Sequence, residues 1–430
     1  MVNSLSDSRT PTPASDAHVV LLVNFVAPNL LHVCREIQSR VKRLTILSSV
    51  ANESNRQWSI DWADLEVVVQ KTWTITRHPQ HPSGYREVNY VHVPLDTLGQ
   101  LRRLRPDAIV SLELGARTLI SLAYRKLNPS CVHVAAVNAN QRSESGRGKL
   151  RSFVRRQILK HADWATHNGP SCREVLCDLG ANPDRISPWH YAADLGKAYL
   201  GPLPETPSKQ AKSLSLLTVG ELSDRKGLMP AINQLSQWAA ANPDQQLVWN
   251  LVGAGPLEQQ LRQINLPSNL EVGFHGFCDA DAIRLHYTSN DLMLFPTFCD
   301  EWGLVVDESL MSGLPVIGSC NAQSVTTLIR DGVNGHVYDP EVAPSLGEAL
   351  DSLARLSSED LHQMRVQARA SVASRTAAAS ADQFAEAVSL ALSGHRFAGK
   401  QNLPTVEPAS RAPINESNLV DVVMDRSTSS

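Results

Sequence analysis

No run of 18 apolar residues occurs anywhere in the chain, and its opening stretch, MVNSLSDSRTPTPASDAH, has no apolar core of the kind that directs export. A cytoplasmic protein is therefore expected, one that meets a membrane only from its surface. Nor is there a cationic excess. Lys and Arg number 40 against 43 Asp and Glu, for a net charge of -3, which argues against nucleic acid as the main partner. The seven cysteines are scattered, odd in number and without a CxxC pair; Cys172 and Cys177 are the nearest couple. That usage suits a reducing compartment and gives no metal pattern. No repeat of fixed period is visible either. What the chain does have is 430 residues at 42% hydrophobic content, ample for two or three domains with real cores.

Punctuation divides it. Residues 1–16 and 396–430 are rich in Ser, Pro, Asn and charge, and are expected to be disordered. LGPLPETPSKQAKS (Leu200 to Ser213) clusters Pro, Lys and Ser and reads as a linker. It separates a first domain over 17–199 from a second over 214–375, and a helix over 376–395 is expected to pack back on the first domain. Both halves alternate short apolar runs with helical patterns. HVVLLVN, RLTILSS, LEVVVQK, AIVSLEL and CVHVAAV read as strands in the first half. LSLLTVG, LVWNLVG, EVGFHGF, DLMLFP, PVIGS and GHVYD do so in the second. Continuous apolar strands belong to parallel sheets covered on both faces. The predicted fold is α/β, with two Rossmann-like, doubly wound domains facing a cleft. Ligands in such sheets bind beyond the carboxyl ends of the strands.

Three loops of the second half occupy such positions. LLTVG runs into ELSDRKG, which sets Arg225 and Lys226 before a helix; WNLVG runs into AGP; DLMLFPT runs into CDEWGLVVDE. Gly220, Gly253 and Gly255 permit close backbone approach, and paired cations beside a helix start suit a diphosphate. The third loop crowds Asp300, Glu301, Asp307 and Glu308 around a helix start, although such a start favours an exposed negative charge by only about 0.3–1 kcal/mol. GAGPLE lacks the third glycine of a dinucleotide fingerprint, which argues against an NAD enzyme.

The run VGELSDRKG, LVGAGP, VGFHGF, DLMLFPTFCDEWGLVVDESLMSGLPVIGS and LIRDGVNGHVYDP, between Leu214 and Pro340, resembles the C-terminal domain of family 4 retaining glycosyltransferases of the GT-B fold. RPDAIVSLE and KHADWATHNGPSCREVLCDLGANPDRISPWHYAAD carry a looser resemblance in the first half. The resemblance implies transfer of a sugar from a nucleotide-diphosphate donor to a glycan or lipid-linked acceptor, as in polysaccharide or glycolipid assembly, with retention of configuration and neither metal nor cofactor. The chain has no DxD motif at a strand end. In the family pattern two acids lie eight positions apart. The implied register puts Asp300 on the sugar and Glu308 on the ribose, with Arg225 and Lys226 stabilising the leaving diphosphate. The amides at Trp302, Gly303 and Leu304 and the turns at Gly220 and Gly253 complete the donor site. Glu301 and Asp307 then read as solvated neighbours.

The chain departs from the family at several points. Its first acid is Asp rather than Glu, and Glu221 stands where relatives carry Arg. Asn138 and Asn140 end the first-half strand that often leads to a His, while His133 within that strand reads as a packed residue. A non-catalytic GT-B subunit that binds nucleotide is therefore the alternative. Residues 142–160 hold a local basic excess: Arg142, Arg147, Lys149, Arg151, Arg155, Arg156 and Lys160 against Glu144 alone. Two readings stand for this segment. Leu150, Phe153, Val154 and Ile158 share one helical face, which either packs on the core or belongs to a surface that meets anionic lipid. Asn168 and Ser171 are candidates for the acceptor side of the cleft.

Overall fold

The computed structural model describes residues 13–53, 61–62, 64–82, 84–85, 88–146, 148–193, 196–203, 213–342 and 345–394. The expected linker core at 204–212 and the expected tail at 396–430 lie outside them. Strands β1 (His18–Val23), β2 (Arg43–Ser48), β3 (Glu66–Val69), β4 (Thr72–Arg77), β5 (Asn89–Pro94), β6 (Ala108–Leu112), β7 (Val132–Val137), β8 (Trp164–His167) and β9 (Ile186–Pro188) belong to the first lobe. β10 (Ser213–Val219), β11 (Gln246–Val252), β12 (Leu270–Gly276), β13 (Leu292–Phe295), β14 (Val316–Ser319) and β15 (Gly335–Tyr338) belong to the second.

The first lobe's sheet runs β3-β2-β1-β6-β7-β8-β9 and the second's β12-β11-β10-β13-β14-β15, every pairing parallel. The central strands are mostly apolar because helices cover both faces; Val19, Val20, Leu21 and Leu22 are wholly buried. In each sheet the strand order reverses beside the first strand, between β1 and β6 and between β10 and β13. That reversal leaves a crevice at the strands' carboxyl ends, where ligands of doubly wound sheets bind.

The helix Ala377–Ser393 returns to the first lobe. Its Ala381, Phe384, Ala387, Val388 and Ala391 share a core with Val19, Leu21 and Ile37, and Asp382 Oδ1 pairs with Arg40 Nε at 2.6 Å. Composition predicted an unstructured start through residue 16. In the structure Ala14–Asp16 form a short 3-10 helix, and the Ala14 amide donates to Ser389 Oγ at 2.9 Å. Burial of Ala14 against that returning helix orders the segment. The antiparallel hairpin of β4 and β5 went unread in the sequence, although TWTITR alternates β-branched residues. Among the described residues no helix is long and apolar enough to cross a membrane.

Candidate active site

A cavity of about 900 Å³ lies between the lobes at the carboxyl ends of both sheets. Asn24, Glu113, Asn138 and Tyr191 line it from the first lobe; Glu221, Ser223, Arg225, Asp300 and Glu301 line it from the second. Arg225 and Lys226 belong to the short 3-10 turn Asp224–Lys226 that follows β10, and Asp300 follows β13. Because β10 and β13 are neighbours, residues far apart in sequence meet.

Asp300 Oδ2 accepts from Lys226 Nζ at 2.6 Å and from Arg225 NH1 at 3.2 Å. Burial alone would favour the neutral acid. The ammonium and guanidinium outweigh it and hold the Asp300 carboxyl down at about 2. One carboxylate thus ties both candidate phosphate cations together through its Oδ2; among the described residues no hydrogen bond reaches its Oδ1. Gly220, in the left-handed region at φ 147°, has only Lys226 Cε within 4 Å of where a Cβ would sit, so the space in front of the lysine stays open. Gly253 serves otherwise. A Cβ there would meet Gly220 O at 1.9 Å, so it is a glycine to let two strand ends pack, not to admit a ligand.

Other expected site residues lie deeper. Glu308 is 4% exposed, and its Oε2 accepts from the buried Tyr287 hydroxyl at 3.0 Å. Trp302 is buried, its Nε1 donating to Asp307 Oδ2 at 2.5 Å. Gly303 caps the helix Leu304–Met311 with φ 98°, and a Cβ there would meet Phe295 Cε1 at 2.7 Å. Neither Glu308 nor Trp302, Gly303 or Leu304 lines the cavity.

Asp307, expected to be solvated, is fully buried, with Arg375 Nε on its Oδ1 at 2.5 Å and the Arg375 guanidinium 4.6 Å from the Trp302 ring centre. A carboxylate inside a helix start can be buried because a cation from the returning chain meets it. Arg375→Ala leaves that charge uncompensated and is expected to cost about 3–5 kcal/mol in urea unfolding. A loss below about 1 kcal/mol, the range of exposed pairs, would refute the pairing.

Gln323 and Asn140 join the lobes, and the sequence singled out neither as a contact between domains. Gln323 is 2% exposed. Its Nε2 donates to Glu301 O at 2.9 Å, Ala139 O at 3.1 Å and Asn168 Oδ1 at 3.1 Å, and its Oε1 accepts from the Cys172 amide at 2.9 Å. Asn140 Nδ2 donates to Asp300 O at 2.6 Å, and Asn168 Nδ2 to Glu301 O at 3.0 Å. Asn168 therefore fastens the acidic loop to the first lobe and does not form an acceptor wall, while Ser171 Oγ accepts from the Gln141 amide. A Cβ on Gly169 would lie 2.7 Å from the Gln323 amide group, so only glycine fits beside it.

On the first-lobe wall, burial and then nearby Arg375 and His167 push His190 down to about 3, so it is neutral at pH 7. Burial, followed by Glu301, Asp300 and Glu113, raises Tyr191 well above its ordinary value. Its phenol is a neutral hydroxyl. His133 lies wholly inside the core, its Nε2 3.0 Å from Ser111 Oγ.

Two doubly wound lobes with the cavity between them define the GT-B class of architecture. Within it, residues 204–371 match the family described as Glycosyl transferases group 1, so the second lobe is a domain of that kind. Similar proteins include an uncharacterized 41.2 kDa protein of the cps region of Klebsiella pneumoniae, 23% identical over 47% of this chain and 55% of its own. The D-inositol 3-phosphate glycosyltransferase of Mycobacterium sp. (strain JLS) is 26% identical over 64% of this chain and 60% of its own. The chain thus spans little more than half the length of these curated relatives. Among solved structures, Anabaena Alr3699/HepE in complex with UDP-glucose superimposes with a TM-score of 0.65 at 16% identity, covering 87% of this chain and 99% of that one. The apo lipopolysaccharide outer core galactosyltransferase WaaB gives 0.63 at 13% identity, covering 86% and 99%. Both are likenesses of fold.

Proposed function

We propose that the protein is a retaining glycosyltransferase that moves a hexose from a nucleotide-diphosphate sugar to a glycan or lipid-linked acceptor, in polysaccharide or glycolipid assembly, without a metal. The observation that carries this reading is the cluster of Arg225, Lys226 and Asp300 at the switch point of the second sheet. The donor's diphosphate lies against Arg225 and Lys226, and its sugar is held by Oδ1 of Asp300. Ribose is assigned to Glu308, reached beside Tyr287. Relatives and neighbours in this class include a protein solved with UDP-glucose, which supports a nucleotide-sugar donor.

Retention follows a front-face route. The bond from C1 to the phosphate oxygen breaks, the acceptor oxygen bonds C1 on the same face, and the acceptor proton passes to the departing phosphate. Such a step asks the protein for alignment and charge stabilisation, with no side-chain base. The neutral His190 and Tyr191 beside the cavity are compatible with that division of labour.

Calorimetry with UDP and GDP tests the reading. Arg225→Ala combined with Lys226→Ala is expected to weaken binding by about 2–4 kcal/mol, since each cation supplies a charge-assisted bond of about 1.5–3 kcal/mol and some of that is recovered by water. Turnover is expected to survive EDTA. Unchanged nucleotide affinity in the folded double variant would sink the assignment; nucleotide binding with no transfer to any acceptor would point instead to a non-catalytic subunit.

A further inference from the structure

The helix Lys149–His161 does not hide all its apolar residues. Ile158 and Leu159 turn into the lobe, but Leu150 is 78% and Phe153 59% exposed. Of the two readings of this segment, the one that packs Leu150 and Phe153 on the core together with Ile158 does not hold. Helical spacing puts Leu150 and Phe153 on the outward side with Lys149, Arg156 and Lys160, all exposed. No acid occurs in the helix, KLRSFVRRQILKH, and Glu144 just before it is engaged by Arg155. Lys149, Phe153 and Arg156 border a shallow surface depression.

The hairpin stands beside it. His81 Nε2 lies 3.2 Å from Arg142 O, and a Cβ on Gly146 would meet Pro82 Cγ at 2.5 Å, so the hairpin's end abuts the segment leading into the helix. One hairpin face carries the cross-strand pairs Trp73–Val93 and Ile75–Val91, and Trp73 is 62% exposed. The other face turns inward, where His92, on the cavity wall, meets Glu53 at 3.4 Å.

Large exposed apolar side chains on a helix whose charged residues are all cations match a surface that enters a lipid headgroup layer: the rings and leucine go in, and the ammonium and guanidinium groups meet anionic headgroups. A second copy of the chain fits less well, since the same cations would face one another. We propose that Leu150, Phe153 and the cations around them, with Trp73 of the adjoining hairpin, dock this lobe on an anionic bilayer. Docking there would set the inter-lobe cavity, which the hairpin helps to wall, at the membrane surface. The inference rests on the lipid-linked form of the acceptor proposed above.

The experiment is co-sedimentation of the full chain with vesicles of phosphatidylcholine alone and of phosphatidylcholine mixed with phosphatidylglycerol. Binding is expected to the mixed vesicles only, and to weaken as salt screens the cations. Leu150→Ser with Phe153→Ser, and separately Lys149→Gln with Arg156→Gln and Lys160→Gln, are each expected to lower the partition coefficient about tenfold or more, and Trp73→Ser to lower it less. Every substituted side chain is exposed, so folding and UDP affinity should match the unaltered chain. Vesicles left unbound, or binding that neither set of substitutions alters, would overturn the proposal. So would concentration-dependent dimers that Leu150→Ser with Phe153→Ser abolishes, which would give the face to a second copy. If vesicles bind normally but UDP does not, the donor site is at fault and the docking face stands.

Discussion

Asp300→Asn is expected to lower turnover about 10²–10³-fold while free UDP binds as tightly as before or more tightly. The loss is the usual size for removing one preorganised electrostatic contact made in the transition state. The preserved or improved affinity has its own cause. In the protein Asp300 Oδ2 engages both Lys226 and Arg225, so its charge competes with a diphosphate for them, and an amide competes less. Stability provides a second readout. The Asp300 carboxyl is held at about 2, below its ordinary 3.8. A depressed acid stabilises the fold above the unfolded value and loses that contribution as pH falls through the folded one. Wild-type stability should therefore drop by about 2 kcal/mol between pH 4 and pH 2 on this account, a fall that the Asn variant lacks. Calorimetry, steady-state kinetics and urea unfolding at several pH values measure all three. Weaker UDP binding in the variant would mean that Asp300 holds the nucleotide itself, and the register of the acidic loop would have to shift to Glu301.

Gln323→Glu should have the second large effect. The Nε2 group that joins Glu301 O, Ala139 O and Asn168 Oδ1 becomes a carboxylate oxygen facing three acceptors in a site 2% exposed. Lost hydrogen bonds and an uncompensated buried charge together are expected to cost about 3–5 kcal/mol. Turnover should fall at least about tenfold, because the loop that carries Asp300 and Glu301 is no longer fastened to the opposite lobe. UDP affinity should change little, since Arg225 and Lys226 are untouched. The pH dependence identifies the cause. A buried carboxyl ionises above its ordinary range, so the variant's deficit should shrink as pH falls and the protonated acid regains a donor. Gln323→Met, of similar volume and without charge, should show a smaller loss and no such recovery. A Glu variant as stable as wild type at pH 7 would show that the lobes are held together without this side chain.

Much of the fold was legible in the linear chain. Eleven strands announced themselves because strands of a parallel sheet covered by helices are short, mostly apolar runs, and the two lobes and the loops beyond their strand ends followed. Arg225 and Lys226 were legible as candidates because they follow such a run, and the resemblance singled out Asp300 among the acids that follow another. The short β8 and β9 and the β4–β5 hairpin were not read: the first two are only four and three residues long, and the hairpin buries mainly one face.

Tertiary structure alone decided which charges are free. Composition and spacing could not show that Asp300 binds both cations, for its partners lie 74 and 75 positions away. Nor could they bury Asp307, whose Arg375 comes from 68 positions downstream. Helical periodicity grouped Leu150, Phe153, Val154 and Ile158 on one side of their helix. It could not determine whether that side faces the core, because periodicity is a property of one helix and burial depends on what packs against it. In this chain Ile158 and Leu159 meet the lobe, and Leu150 and Phe153 are left to water.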